Sequence, residues 1–417
     1  MTITFIMDQL SAAGSPTGQY PPDATVLDKY ARVLVKFALN KGQGIQPGEV
    51  VECVVPDVAK PLAQALQQVV LQAGGQPLIR LLPTGFDKDF YDLASWDQLT
   101  FFPKNYLKAK VELLDHQIGI IADPYPEELK DTDPRKIMTA LNAKKEYQDW
   151  RVAKEQLGRY SWTLALWGVP AKAQIVGLSI EEYWQQIIQA CYLDRPDPVA
   201  EWQKLFAFQR RQLAKLNSLQ IEHLHITGPR VDLKVKLGKQ RRWVGGSGAN
   251  IPSFEFFTSP DWRGTTGWVE FNVPLFHHGV VMKDIRLEFV EGQVTSATAS
   301  QHQRVLTEML KVPGGNKVGE FSLTDKRTSR ISHFMAETLY DENMGGPHGN
   351  MHLAVGRSYH DTYSGDQQLV DPQDWLEMGF NDSALHTDIV TTDQRTVTAT
   401  LADGTTKVIY KDGMFVL

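Results

Sequence analysis

Apolar residues recur at helical spacing across residues 25–40, where Leu27, Tyr30, Leu34, Phe37 and Ala38 share a face and Asp23 or Thr25 can cap the first turn. Gly42 and Gly44 stop that helix. Pro47-Gly48 then opens an apolar run over 49–55, a helical pattern over 60–73 ends at Gly74-Gly75, and a second apolar run covers 77–82. This is a strand, helix, strand unit, and a crossover of that length favours a parallel pair with a right-handed connection. The pattern recurs more loosely, with a strand at 118–122, one charged helix over 133–156, and a strand at 161–167. Two amphipathic helices follow over 180–193 and 199–216, carrying Trp184, Trp202, Phe206 and Phe208 as packing aromatics. Asp115-His116, at the start of the 118–122 run, reads as a surface pair at a strand edge.

From Ile221 the period shortens to two: Val231, Leu233, Val235 and Leu237 alternate with Asp232, Lys234 and Lys236. Further strands are expected over 267–273, 279–289 and 294–298, with a closing hairpin over 396–402 and 407–410 that turns at Asp403-Gly404. The expected fold is an α/β N-terminal domain with parallel sheet elements over 1–218. An α+β C-terminal domain rich in antiparallel strands covers 219–417. At 417 residues the chain exceeds what one core usually organises, which supports the division.

Composition narrows the class without naming it. Hydrophobic residues make up 42% and charged residues 22%, an ordinary globular balance. The net charge of -6 is spread without blocks of one sign, so no nucleic-acid or membrane-surface footprint is present. No stretch approaches the roughly 20 apolar residues of a membrane span, and Met1 to Asp8 lacks the basic start of a signal peptide. A cytoplasmic protein is the expectation. Cys53 and Cys191 are too few and too far apart for a disulfide framework or a thiolate metal site, and both read as core residues.

The candidate chemistry lies in the last third. Residues 334–388 hold Asp341-Glu342-Asn343, His352, Tyr359 and His386-Thr387-Asp388, a mixture of imidazole, carboxylate and phenol suited to zinc, cobalt, manganese or iron. His386 and Asp388 are two apart and share a face on a strand, whereas His352 and Tyr359 are seven apart and share a face on a helix. Upstream, Glu255 and Glu320 each stand alone in an apolar run. Each reads either as a strand-edge acid or as a functional acid whose burial needs a cation or donors, and two in one domain favour function. His223 and His225 lack a carboxylate on their face and read as sheet histidines, and His277-His278 reads as a turn. Two glutamates, two histidines and an aspartate are the donor set of a co-catalytic dinuclear hydrolase.

These motifs resemble the dinuclear metallo-aminopeptidase family of aminopeptidase T, aminopeptidase S and aminopeptidase II. The likeness runs in order through Leu27-Asp28-Lys29-Tyr30-Ala31, Trp243-Val244-Gly245-Gly246, Asn250-Ile251-Pro252, Glu255 with Thr258-Ser259-Pro260, and Gly319-Glu320. It continues through Leu339-Tyr340-Asp341-Glu342-Asn343, His352-x-Ala354-x-Gly356-x-x-Tyr359 and His386-x-Asp388. The resemblance implies that Glu255, Glu320, His352, His386 and Asp388 hold two divalent ions (Zn, Co, Mn or Mg). Glu342 is implied as a further ligand or as a support of one, and Tyr359 as a donor to the reacting carbonyl. Glu320 and Glu342 are the catalytic carboxylates to consider, with the bridging and base roles left open between the glutamates. Peptides with a free N-terminus are the implied substrates, and a homodimer the implied assembly. The segment 344–351 is longer than the family's usual link and makes His348 a rival to His352; His352 is preferred because it precedes the Ala, Gly and Tyr of the motif. Two other readings use the same residues: a mononuclear Fe(II) ring-cleaving dioxygenase and a metal-stabilised binding protein without turnover.

Overall fold

The computed structural model describes residues 22–277 and 279–417. The reading of the first residues and the second half of His277-His278 lie outside that range. The first helix, Ala24–Val33, is capped by Asp23, whose side chain accepts from the Val26 N–H at 2.9 Å. It widens into a π turn over Leu34–Ala38 and ends at Leu39, whose ψ of 161° is extended, before the glycines expected to stop it; at Gly44 φ is +71° and a Cβ would sit 2.5 Å from the Lys36 carbonyl oxygen, so only glycine fits.

A five-stranded parallel sheet follows in the order Gln76–Leu82, Val50–Pro56, His116–Ile121, Ser161–Leu166, Asn250–Ile251. The expected strand, helix, strand unit is its first pair, joined through the helix Lys60–Gln72. Two expectations change here. The charged helix over 133–156 is two helices, Pro134–Asn142 and Lys145–Gln156, because Ala143 and Lys144 form a turn with the Lys144 ψ near 0°. Asp115-His116 is not a surface pair. His116 opens a strand flanked on both sides, is 3% exposed, and lies 2.9 Å from Ser161 Oγ and 2.7 Å from Glu49 Oε2. A strand's own pattern does not reveal whether it is central or at an edge.

The second half holds an eight-stranded antiparallel sheet that includes Val231–Lys236, Ile221–Gly228 and Thr396–Leu401. Leu224, Ile226, Leu233 and Val235 point into its core, while His223 is exposed and His225 pairs with Asp232 at 2.8 Å. The expected strand over 279–289 is interrupted at Asp284 (φ 50°) into Val280–Met282 and Ile285–Val290. A separate four-stranded antiparallel sheet has the order His386–Thr391, Asn350–Gly356, Val318–Thr324, Glu255–Thr258. One apolar cluster joins the two sheets, with Phe256, Phe321, Leu353 and Ile389 supplied by the four-stranded one. The chain is therefore a parallel α/β part combined with an antiparallel-rich α+β part. Residues beyond the helix Pro198–Ser218 return to the first core, where Ile251, Phe254, Met335 and Tyr340 pack with Trp184 and Trp202. Among the described residues no helix is long and apolar enough to cross a membrane.

Candidate metal centre

The four-stranded sheet has one face in the core and one face carrying the acids and imidazoles. Period-two alternation sends Phe321, Leu323, Leu353, Val355 and Ile389 inward and leaves Glu320, His352, His386 and Asp388 together on the other side. Ala354 pairs with Glu320 on one neighbour and with Asp388 on the other, so its small methyl separates the two carboxylates in the row. Glu255 enters from the edge strand, opposite Thr324.

His352 Nε2 lies 3.0 Å from Glu320 Oε1, 3.4 Å from Glu255 Oε2 and 3.8 Å from Asp388 Oδ1. His386 Nε2 lies 3.5 Å from Asp388 Oδ1 and 3.7 Å from Glu320 Oε2. Two groups of possible ligands result, Glu255/Glu320/His352 and Glu320/His386/Asp388, with the donor atoms of each group within 4.8 Å of one another. Glu320 belongs to both. Each imidazole is turned by a backbone carbonyl: His352 Nδ1 donates to Glu342 O at 3.1 Å, and His386 Nδ1 to Arg357 O at 2.8 Å. A carbonyl only accepts, so both Nδ1 atoms carry hydrogen and Nε2 is the atom left for a cation.

The electrostatics ask for positive charge. Burial, then the Glu320 charge, pushes the Glu255 carboxyl up to about 8. Burial alone would lower both histidines, yet the hydrogen bond to Glu320 and the Asp388 charge lift His352 to about 9. The Asp388 charge does the same for His386, also to about 9. Asp388 Oδ1 is buried without a hydrogen-bond partner. A buried orphan oxygen among several carboxylates, with two Nε2 atoms aimed at them, fits divalent cations of borderline hardness.

Tyr359 and Glu342 flank this cluster. The expected helix linking His352 to Tyr359 is absent: His352 is on the strand Asn350–Gly356, and Tyr359 is in the loop beyond it. The strand ends at Gly356, where φ is +107° and a Cβ would stand 2.1 Å from the Leu385 carbonyl oxygen. The resulting turn brings the Tyr359 ring to 4.6 Å from His386 and 6.0 Å from Phe257. A spacing of seven suits a helix, and a strand broken by glycine reaches the same result. Tyr359 keeps 41% of its surface exposed, while desolvation of its hydroxyl and the charges of Glu320 and Asp388 hold the phenol well above the usual tyrosine range. Glu342 is in neither ligand group, but burial and the charges of Glu255, Asp388 and Glu320 raise its carboxyl well above normal.

His348 is also in neither ligand group. Its carbonyl accepts from Tyr410 Oη at 3.1 Å and Arg395 Nη1 at 3.3 Å, which pins the 344–349 loop to the closing hairpin. Sequence reasoning gave no role to Asn250, Ser253, Ser322, Asn343 or Asn350. Ser253 Oγ donates to Glu255 Oε1 at 3.3 Å, and Asn350 Nδ2 donates to Glu342 O at 2.8 Å. Neutral polar residues carry no charge signal, and only adjacency to the acids in sequence could have drawn attention to them.

A family model described as thermophilic metalloprotease (M29) matches residues 23–415. The chain belongs to this family. Membership of the thermophilic metalloproteases makes it a peptide hydrolase that uses a divalent metal. Aminopeptidase 2 of Geobacillus stearothermophilus is 27% identical over 410 residues, covering 93% of this chain and 97% of the relative. Aminopeptidase PepS of Streptococcus thermophilus is 25% identical and covers 94% and 98%. Aminopeptidase T of Thermus thermophilus is 27% identical over 313 residues, covering 70% of this chain and 74% of the relative. The solved structure of wild-type AmpT from Thermus thermophilus superposes with a TM-score of 0.80, at 22% identity, over 94% of this chain and 99% of that one, which establishes a shared fold.

Proposed function

We propose that this thermophilic metalloprotease is an aminopeptidase that releases N-terminal residues from peptides with a free N-terminus, using water activated between two divalent ions. Glu255, Glu320, His352, His386 and Asp388 would hold the ions, with Glu320 shared. The observation that carries the reading is the division of Glu320, one oxygen facing each histidine. The relatives' names as aminopeptidases support the substrate class.

When bound, such a pair of ions lowers the pKa of a water and polarises the scissile carbonyl. The chain's own groups do the rest. With both Glu320 oxygens turned to the ion sites, Glu342, whose Oε2 has no protein partner among the described residues, accepts the proton of the attacking water and returns it to the leaving amine. Tyr359 retains its phenol proton and donates a hydrogen bond to the carbonyl oxygen as negative charge builds there. The carbonyls of Glu342 and Arg357 hold both imidazoles with Nε2 toward the carboxylates, so the rings are oriented before substrate arrives. The ring-cleaving dioxygenase reading is not favoured by the family match, and nothing specific recommends a binding protein without turnover. The resemblance also carries a homodimer, and the character of the first residues and the lack of a long apolar run carry a cytoplasmic location; sedimentation and fractionation test the two.

Metal-free protein should be loaded separately with Zn²⁺, Co²⁺, Mn²⁺ and Mg²⁺ and offered short peptides with free and with acetylated N-termini, the products being read by mass spectrometry. Single-residue release from free N-termini alone is the expected result. No cleavage under any metal, or equal cleavage of acetylated peptides, overturns the proposal.

A further inference from the structure

Glu342 follows the four-residue helix Thr338–Asp341, and a carboxylate on so short an element gains little orientation from its own backbone. Its orientation comes from two amides. Asn343 Nδ2 donates to Glu342 Oε1 at 3.2 Å and Asn250 Nδ2 donates to the same oxygen at 3.3 Å, while Oε2 has no protein partner among the described residues. The Asn343 amide cannot be turned round. Its Oδ1 accepts the Phe254 backbone N–H at 2.6 Å and its Nδ2 donates to the Leu339 carbonyl at 3.2 Å, groups whose donor and acceptor roles are fixed. The side chain is fully buried and all its contacts are made.

Asn343 thereby ties together two segments that meet only through folding. Phe254, held by Oδ1, immediately precedes Glu255, and Glu342, held by Nδ2, supplies the carbonyl that orients His352. Asn250 comes from the far edge of the parallel sheet, where it pairs with Leu164, so its amide reaches the same carboxylate from a different element. An aspartate in either place would have the same shape but would put an acceptor against Oε1.

We propose that Asn343 and Asn250 are positioning residues that aim the free oxygen of Glu342 at the metal cluster and so set how tightly the ions are held. This rests on the metal centre proposed above. Neither amide touches the reacting atoms; both act through Glu342, and outer partners of this kind change metal affinity by about 10- to 100-fold.

The experiment uses the full chain with Asn250→Ala, Asn343→Asp and Glu342→Ala, and the double variant Asn250→Ala/Glu342→Ala. Zn²⁺ and Co²⁺ dissociation constants are measured by chelator competition, alongside the melting temperature of each metal-free protein. Asn250→Ala is expected to weaken metal binding about tenfold or more, with the metal-free melting temperature unchanged, because among the described residues the half-buried Asn250 side chain bonds only Glu342. Asn343→Asp is expected to weaken it further. In the Glu342→Ala background the Asn250 change should cost less than about twofold, the non-additivity of a residue acting through its partner. Wild-type affinity in Asn250→Ala, or an equal loss with and without Glu342, overturns the inference while leaving the metal centre standing. A wild-type chain that binds neither ion overturns both. Should Asn343→Asp not fold, the Asn250 cycle alone decides.

Discussion

Glu320 turns one oxygen to each of two histidines, with Oε1 3.0 Å from His352 Nε2 and Oε2 3.7 Å from His386 Nε2. No other residue is common to both ligand groups. Glu320→Gln should therefore remove a ligand from both ion sites at once and lower kcat at every metal concentration tested. It should also remove the metal-dependent rise in melting temperature that a wild-type chain owes to ligand linkage. Thermal melts with and without Zn²⁺, beside steady-state kinetics, check this.

Metal uptake should release protons and strengthen with pH. In the metal-free chain Glu255 titrates at about 8 and the two histidines at about 9, so at neutral pH all three carry protons that a cation must displace. The carboxylates that raise the two histidines stabilise the metal-free fold, in full below the unfolded value of 6.5 and lost as pH rises through about 9, while ionising the buried Glu255 costs stability as pH rises from 4.5 through about 8. The gain in melting temperature on adding metal should accordingly widen from pH 6 to pH 9. Calorimetry in two buffers of different ionisation enthalpy counts the released protons.

Tyr359→Phe keeps the ring against His386 and Phe257 and removes only the hydroxyl. A loss of about 10²–10³-fold in kcat, typical of one oxyanion donor, is expected with unchanged metal stoichiometry. Kinetics paired with elemental analysis separates this from damage to the metal centre.

His348→Ala should leave both metal stoichiometry and activity close to wild type, since only the His348 carbonyl is engaged by Tyr410 and Arg395. His352→Gln should lose metal, because His352 Nε2 faces three carboxylates. Metal content by elemental analysis of the two purified variants decides between the histidines.

Ala354→Val tests the spacing of the row. Valine suits a strand, but two added methyl carbons between the strands of Glu320 and Asp388 crowd the space the two carboxylates share. Weaker metal binding is expected in a chain that still folds, read by metal titration beside circular dichroism.

Much of this was legible in the residues themselves. The Asp23 cap, the strand, helix, strand unit of 49–82 and the alternation of 231–237 are local patterns, and each appears where its period puts it. So do the paired faces of His386 and Asp388, because two residues on one strand have only one relative orientation. The same logic misled at His352 and Tyr359, where a period of seven stood for a helix until Gly356 turned the chain, and at Asp115-His116, whose strand lies between two others.

The sequence by itself determined the donor chemistry: isolated acids in apolar runs and histidines near a carboxylate are costly unless a cation or a proton compensates them. Only the tertiary structure decided their grouping. Glu255, Glu320, His352 and Asp388 come from four strands, and strand order and register are set by long-range pairing that no local pattern encodes. The amides of Asn250 and Asn343 show the same limit more sharply. An uncharged side chain has no desolvation signature of its own, and its partner Glu342 is identified only once a parallel sheet and a distant turn have been folded against each other.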